Sequence, residues 1–438
     1  MINSKLPGLK LLPELKIGLS VFTISLTLIF HAGFIMSQPA QKDALAKGNR
    51  FVPDWKSQEA SWVIWPTDTS MQQALLPAIK AITAEVPVNV VVANDSIRDF
   101  ALLSFKNENV EFGRIRIVVN PSAKGFIRDH GPWFMFDSKN LPARAAFKWN
   151  NFGVPVNLTR GLSKQDSIVM GQFAAELTSK MKLQTLTSKL VIENGMLEIN
   201  SKGVALCFME TILQRNPSFD LPEIAAELKR VLGLKKIIWL GSSPTMDKIY
   251  AGPKSANIFG YGANGHIDQF IRFANDSTIL ISQIDAVERK YDPVSSADYL
   301  ILQENLEYLK KVTDDQDHPF NIIEIPVPAM RFHMVEDTIH DTMSDSILFR
   351  GFENGTSIYN APMVSYLNFF ICNNTLILPQ YFKENLTESE RAKDEKVGHL
   401  FSELFPGKQI VRVNPIPLNL KGSGIRRCFI SQPAGISK

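Results

Sequence analysis

Between residue 50 and the C-terminus the chain alternates short Val- and Ile-rich runs with stretches of helical periodicity, and nothing interrupts the alternation. The runs "WVIWP" (62–66), "VNVVVAN" (88–94), "IRIVVN" (115–120), "WFMF" (133–136), "LVIENG" (190–195), "VALCF" (204–208), "KIIWLG" (236–241), "TILIS" (278–282), "NIIEIPVP" (321–328), "TLILPQ" (375–380) and "QIVRVN" (409–414) have the content of half- or fully buried strands. Helices are expected near 70–84, 168–182, 221–233, 298–312 and 386–404. The first opens on Thr69-Ser70 and the last on Thr387-Glu388-Ser389-Glu390, residues that cap helix N-termini. The reading is strand-rich α/β throughout. No Pro/Gly/Ser-rich linker divides it, so one catalytic-size domain, 41–438, is expected behind an N-terminal segment, 1–40. The loose recurrence of the runs hints at an internal pseudo-repeat, although no repeat of letters supports it.

With 45% hydrophobic and 21% charged residues, the chain can bury a large core and is not a disordered polymer. Its 47 basic and 44 acidic residues leave a net charge of +3 with no long basic run, which excludes an electrostatic footprint for nucleic acid. Residues 17–36 differ in kind: they carry no charge and follow Lys5, Lys10 and Lys16. Twenty residues at about 1.5 Å rise match a hydrocarbon core of about 30 Å, and a basic flank before an apolar run also suits an export signal. Both readings expect an exported or membrane-anchored protein, with the folded part across a membrane from the basic flank. The oligomeric state is open.

Cys207, Cys372 and Cys428 are an odd number with no zinc-ligand spacing. Cys207 and Cys372 lie in apolar strand-like runs, where cysteine is a small buried hydrophobe. Cys428 stands next to Arg426 and Arg427, and neighbouring cations depress a thiol pKa, so it is the reactive candidate. Three other stretches gather polar side chains beside strands. In "GFIRDHGPWFMF" Asp129 precedes a Gly-Pro turn, where it could equally be a turn-former. In "YGANGHIDQFIRF" His266 and Asp268 stand at i and i+2, which on a strand puts both on one face. In "LVIENGMLEIN" Glu193 precedes an Asn-Gly turn and Glu198 follows; singly, either reads as a surface residue.

One thiol, one imidazole and several carboxylates, with no metal set and no cofactor motif, suit a cationic substrate. A guanidinium is planar, permanently charged and matched to carboxylates in two-pronged fashion. Its resonance-stabilised carbon requires a strong nucleophile and a proton donor for departing ammonia, which thiolate and imidazole can supply.

In order, "WVIWP" (62–66), "IRDHGPWF" (127–134), "WNNFG" (149–153), "VIENG" (191–195), "QRNP" (214–217), "GHIDQF" (265–270), "SYLNFFICNN" (365–374) and "GSGIRRCFISQP" (422–433) resemble the agmatine deiminase and bacterial-type peptidyl-arginine deiminase family. The resemblance implies the pentein fold, a five-fold pseudosymmetric α/β propeller of ββαβ-like units with the active site at its centre. It implies Cys428 as nucleophile, His266 as general acid/base, and Asp268 and Asp129 as the carboxylates that grip the guanidinium. It further implies Glu193 as an acidic contact, Asn368 as a residue lining the site, and neither metal nor cofactor. The chain departs from the family pattern in several places, one of them Glu193-Asn194-Gly195, where the family usually has Glu-Gly-Gly. Arg427 stands where histidine usually precedes the nucleophile, Gly422-Ser423-Gly424 replaces three glycines, and Phe126 stands where agmatine deiminases carry Trp. Phe126 and Arg427 are therefore candidate substrate-binding residues, and Arg426 and Arg427 could hold a substrate carboxylate.

The expected reaction converts a guanidinium to a ureido group plus ammonia through a thiouronium on Cys428. Agmatine, giving N-carbamoylputrescine, stands ahead of peptidyl arginine, giving citrulline. Peptidyl-arginine deiminases of this type place a pair of arginines where this chain reads "FKWNNFG" (147–153). The export-like N-terminus points the other way. Two rivals predict different chemistry: a non-catalytic membrane-anchored binding protein with an inert Cys428, and a cysteine peptidase that cuts peptides lacking arginine.

Overall fold

The computed structural model describes residues 48–154, 163–248, 255–340, 343 and 349–437. The chain forms β1 (Arg50–Phe51) and β2 (Gln58–Ile64), crosses through α1 (Thr69–Glu85) to β3 (Val88–Val92), and through α2 (Asp95–Asn107) to β4 (Ile115–Val119). A one-turn helix, α3 (Ile127–His130), leads into β5 (Trp133–Phe136), β6 (Pro142–Lys148), α4 (Lys164–Leu177) and β7 (Gln184–Val191). Next come β8 (Glu198–Ile199), β9 (Val204–Phe208), α5 (Met209–Arg215), α6 (Leu221–Leu232), β10 (Lys236–Leu240) and β11 (Ile258–Phe259). They are followed by β12 (Ile271–Phe273), β13 (Thr278–Gln283), α7 (Pro293–Leu309), β14 (Asn321–Pro326), β15 (Val335–Thr338) and β16 (Ser357–Asn360). The last stretch holds β17 (Phe370–Cys372), β18 (Thr375–Pro379), α8 (Glu388–Leu404), β19 (Gln409–Val413) and β20 (Phe429–Pro433). Every expected strand run overlaps a strand and every expected helix a helix.

One pairing rule recurs in five of the six sheets among the described residues, β11-β16-β15 standing apart: two strands pair antiparallel, a helical segment crosses over, and a third strand adds parallel to the second. β5-β6-β7, β8-β9-β10, β12-β13-β14 and β17-β18-β19 each obey it. The remaining unit is assembled from both ends of the chain, β20 pairing antiparallel with β2 and β2 parallel with β3. β3 has all five residues buried, as a strand flanked by two parallel partners and covered by crossover helices must. The letters do not repeat, but the wiring does, and these five units are the fan that the resemblance implies.

What positions the site is the segment ahead of each unit's first strand. Short helical turns at Ile127–His130, Asn194–Met196, Ile267–Gln269 and Arg426–Cys428 lead into β5, β8, β12 and β20, and residues 365–369 hold the matching place before β17. Each turn meets the next. Arg128 Nε donates to the carbonyl of Arg426 (2.9 Å), the turn at 127–130 packs on that at 194–196, and His266 meets Glu193. Ser365 Oγ bonds the carbonyl of Gln269, and the Arg426 amide donates to Asn368 Oδ1 (2.9 Å), which closes the ring.

Two sequence expectations change. His266 and Asp268 do not share a strand face, because a 3-10 turn occupies Ile267–Gln269 and the strand starts only at Ile271. The expectation of an exported or membrane-anchored protein is withdrawn. Among the described residues no helix is long and apolar enough to cross a membrane, and residues 17–36, which carried that expectation, lie outside them.

Candidate active site

All the residues singled out by sequence lie in or directly beside the five lead-in turns. Asp129 belongs to α3 and Phe126 caps it; Glu193 caps the turn at 194–196; His266 caps the turn that contains Asp268; Arg427 and Cys428 share the turn before β20. Because the turns form a ring, side chains far apart in sequence converge. Asp129, with 2% of its surface exposed, receives the Arg427 guanidinium in two-pronged fashion. Nε donates to Oδ1 (2.8 Å) and Oδ2 (3.0 Å), and Nη2 donates to Oδ2 (2.7 Å). The guanidinium carbon lies 4.8 Å from the ring centre of Phe126 and 5.2 Å from that of Phe152, the aromatic contact that a planar cation favours. Burial pushes the Asp129 carboxyl above its ordinary range, against the pull of Arg427.

His266, wholly buried, has Nε2 3.3 Å from Glu193 Oε2 and Nδ1 3.9 Å from Asp129 Oδ1. The imidazole thus stands between two carboxylates, one of which orients it. Glu193 is held in turn by Arg215, which donates through Nε (3.0 and 3.1 Å) and Nη2 (3.0 Å) and also bonds the carbonyls of Ala263 and Asn264. Burial would raise the Glu193 carboxyl, but Arg215 and His266 outweigh it and hold it below the usual carboxylate range. The reading of Glu193 and Glu198 as surface residues is corrected, since both are buried and ion-paired. In the stretch Glu193-Asn194-Gly195 the glycine is required by space, because a Cβ there would stand 2.3 Å from His266 Nδ1.

Cys428 is 3% exposed, with Sγ 3.6 Å from Ser423 Oγ. Burial pushes its thiol up to about 12, with Ser423 and Arg427 only partly offsetting it, so the resting sulfur is a protonated thiol. Burial likewise raises Cys207 and Cys372. Asn368 does not face open space. It accepts the Arg426 amide through both its side-chain and main-chain oxygens (2.9 and 3.1 Å), and Gly424 leaves room for it, a Cβ there falling 2.2 Å from Oδ1. Arg426 is locked by three carboxylates: Asp54 (2.9 Å), Asp268 (2.8 Å) and Glu198. Around this centre Arg128 and Arg272 complete a buried network of alternating charge.

Sequence reasoning missed Asp54, Arg215 and Asp247. Arg215 stands in the quoted "QRNP", whose meaning needed Glu193 as its partner. Asp54, in "VPDW", lies ahead of β2 and joins the central network from there. Asp247 carries no signal in "PTMDK", yet its carboxylate accepts the amides of Ala263 (2.7 Å), Gly265 (2.8 Å) and His266 (2.7 Å).

A ring of five ββαβ units that gathers a thiol, an imidazole and carboxylates around a guanidinium is the architecture of the pentein guanidine-modifying hydrolases. The family model described as Porphyromonas-type peptidyl-arginine deiminase matches residues 50–433, and the chain belongs to that family. Among curated proteins, the agmatine deiminase of Pseudomonas syringae pv. tomato is 24% identical over 404 residues, 89% of this chain and 96% of that one. The solved agmatine deiminase of Enterococcus faecalis superposes with a TM-score of 0.66 at 22% identity, covering 89% of this chain and 96% of its own. That of C. jejuni superposes with a TM-score of 0.64 at 19% identity, covering 88% and 96%. Both share the fold.

Proposed function

We propose that residues 41–438 form a guanidine deiminase whose substrate is agmatine. The observation that carries this reading is that Asp129 already grips a guanidinium, that of Arg427, near two aromatic rings, with His266 3.9 Å from the same carboxylate and Cys428 next in sequence to Arg427. The residues proposed to recognise a planar cation and those proposed to attack it are all buried and belong to the lead-in turns. In the proposed reaction the substrate guanidinium takes the Asp129 seat, and Asp268, whose Oδ2 stays on Arg426 while its Oδ1 has no hydrogen bond, is the proposed second carboxylate. Its positive charge, brought next to the buried sulfur, favours transfer of the thiol proton to His266. The Cys428 thiolate attacks the guanidinium carbon, the C–N bond breaks, and His266 delivers the proton with which ammonia departs, leaving a thiouronium. Water then gives a proton to His266 and attacks the same carbon. The C–S bond breaks, the sulfur recovers a proton from His266, and the ureido product leaves as the proton on its new oxygen passes to the released ammonia. Glu193, held by Arg215, keeps the imidazole oriented for both proton transfers.

Agmatine is favoured by two things: the curated relatives are named agmatine deiminases, and "FKWNNFG" (147–153) lacks the arginine pair of peptidyl-arginine enzymes. The test is to incubate the protein with agmatine, free arginine and a short arginine peptide, and to assay ammonia and ureido product. Turnover of agmatine that disappears in Cys428→Ala is expected. Turnover of the peptide alone would move the substrate to peptidyl arginine, activity that survives Cys428→Ala would remove the thiolate mechanism, and no activity on any guanidine would favour a binding protein.

A further inference from the structure

From the paired arginines of the nucleophile turn, and building on the deiminase reading above, we propose that Arg427 is an internal competitor: in the resting protein it fills the guanidinium seat on Asp129, and substrate must expel it to bind. The two arginines differ in how they are held. Arg426 is tied to Asp54, Asp268 and Glu198 at once, so releasing it would strand three buried carboxylates. Arg427 bonds one carboxylate, Asp129, and one carbonyl, that of Gly422. It is the releasable member of the pair. Its bonds to Asp129 are those a substrate guanidinium would make, two nitrogens of the fork on two carboxylate oxygens, and its guanidinium carbon lies 4.8 Å from the ring centre of Phe126 and 5.2 Å from that of Phe152. Substrate therefore replaces like with like: Asp129 is paired with a guanidinium both before and after the exchange, and the cost of baring the buried carboxylate in between is what keeps the open fraction small. Only the open fraction of the protein can accept ligand, so apparent affinity is reduced by that fraction.

This assignment separates Arg427 from the roles of holding a substrate carboxylate or merely bracing Asp129. A brace or a ligand contact, when removed, weakens binding. A competitor, when removed, strengthens it. The experiment titrates agmatine and, in parallel, acetyl-arginine amide into full-length Cys428→Ser protein, which cannot turn substrate over, by isothermal calorimetry. The same titrations are made after adding Arg427→Ala, Arg427→Lys or Asp129→Asn. Removing the competitor is expected to tighten binding by about tenfold or more with Ala and by a smaller factor with Lys, whose ammonium fills only part of the fork. Should the alanine variant not fold, the lysine variant decides alone: its affinity must rise. If binding is lost in Asp129→Asn but unchanged or weaker without Arg427, the competitor is refuted and the deiminase reading stands. If neither ligand binds any variant, or Asp129→Asn binds as well as its parent, the seat itself is refuted and both fall.

Discussion

Gly195 shows how little chemistry separates a working imidazole from an idle one. Its φ is not in the left-handed region, so alanine would fit the backbone, but the added methyl would stand 2.3 Å from His266 Nδ1. The ring must then shift away from Glu193 Oε2, now 3.3 Å from Nε2. Misplacing a general acid/base forfeits about 10²- to 10⁴-fold in rate, so Gly195→Ala is expected to lower kcat by about two orders of magnitude. Steady-state assays on agmatine, with circular dichroism to confirm the fold, check it; a kcat within threefold of the parent would show that His266 is not the proton carrier. Cys428, His266, Asp129 and Asp268 could be picked out of the sequence as candidates because each stands in a motif beside a strand. The burial of Glu193 was not, because a carboxylate reads as surface until Arg215, 22 positions away, is known to neutralise it.

At the level of the element, the unit of function is the lead-in turn, and a turn needs an anchor. The segment that delivers His266 hangs on one carboxylate, Asp247, which accepts three consecutive-region amides while itself wholly buried. Asparagine at that place has the same shape but turns one acceptor oxygen into a donor that faces the amides. At least one buried N–H loses its partner, a cost of about 1–3 kcal/mol. Asp247→Asn is expected to lower the urea midpoint accordingly and to reduce kcat more than KM changes, since the His266 backbone shifts; urea titration and kinetics on one preparation separate the two. An unchanged midpoint would mean that water replaces the lost acceptor. The elements themselves were legible where β-branched runs are dense, as in "VNVVV". β6, "PARAAFK", was passed over because alanine and lysine depress strand propensity. The same-face argument for His266 and Asp268 failed because the Gly-His-Ile-Asp-Gln turn borrows the apolar letters of the strand it precedes.

On the scale of the molecule, the pseudo-repeat could be suspected from spacing but not proved, since conserved wiring does not demand conserved letters; what shows it is that β20, at the end of the chain, pairs with β2 near its start. That closure buries groups whose protons have nowhere to go, and it sets an alkaline limit. Burial pushes the thiols of Cys372 and Cys428 up to about 12 and raises those of Cys207 and the phenols of Tyr366 and Tyr381 as well. In the unfolded chain these groups titrate near 8.5 for cysteine and 10 for tyrosine. Each folded pKa lies above its unfolded value. The stability these groups contribute is therefore complete below about pH 8.5 and is lost as pH rises, because only the unfolded chain releases the protons. Each group costs about 1.4 kcal/mol per pH unit beyond its unfolded pKa, so three thiols alone remove about 6 kcal/mol between pH 8.5 and 10, comparable with the whole stability of a typical domain. Glu193 and Asp54 act at the other end. Arg215 and His266 for the first, and Arg128, Arg426 and Arg272 for the second, outweigh burial and depress the carboxyls, so their stabilisation is present above about pH 4 and lost as pH falls through their lowered values. Burial also holds the imidazoles of His130 and His333 down to about 3 and about 4, so below about pH 6.5 only the unfolded chain protonates them; the expected profile by circular dichroism is a melting temperature highest near pH 7 to 8, declining below about pH 6.5 and falling steeply above pH 9. Replacing Cys207 and Cys372 together by alanine should flatten the alkaline limb even while it lowers the plateau, because the slope counts titrating groups and the plateau counts packing. A limb equally steep without those two thiols would mean that the alkaline unfolding has another source.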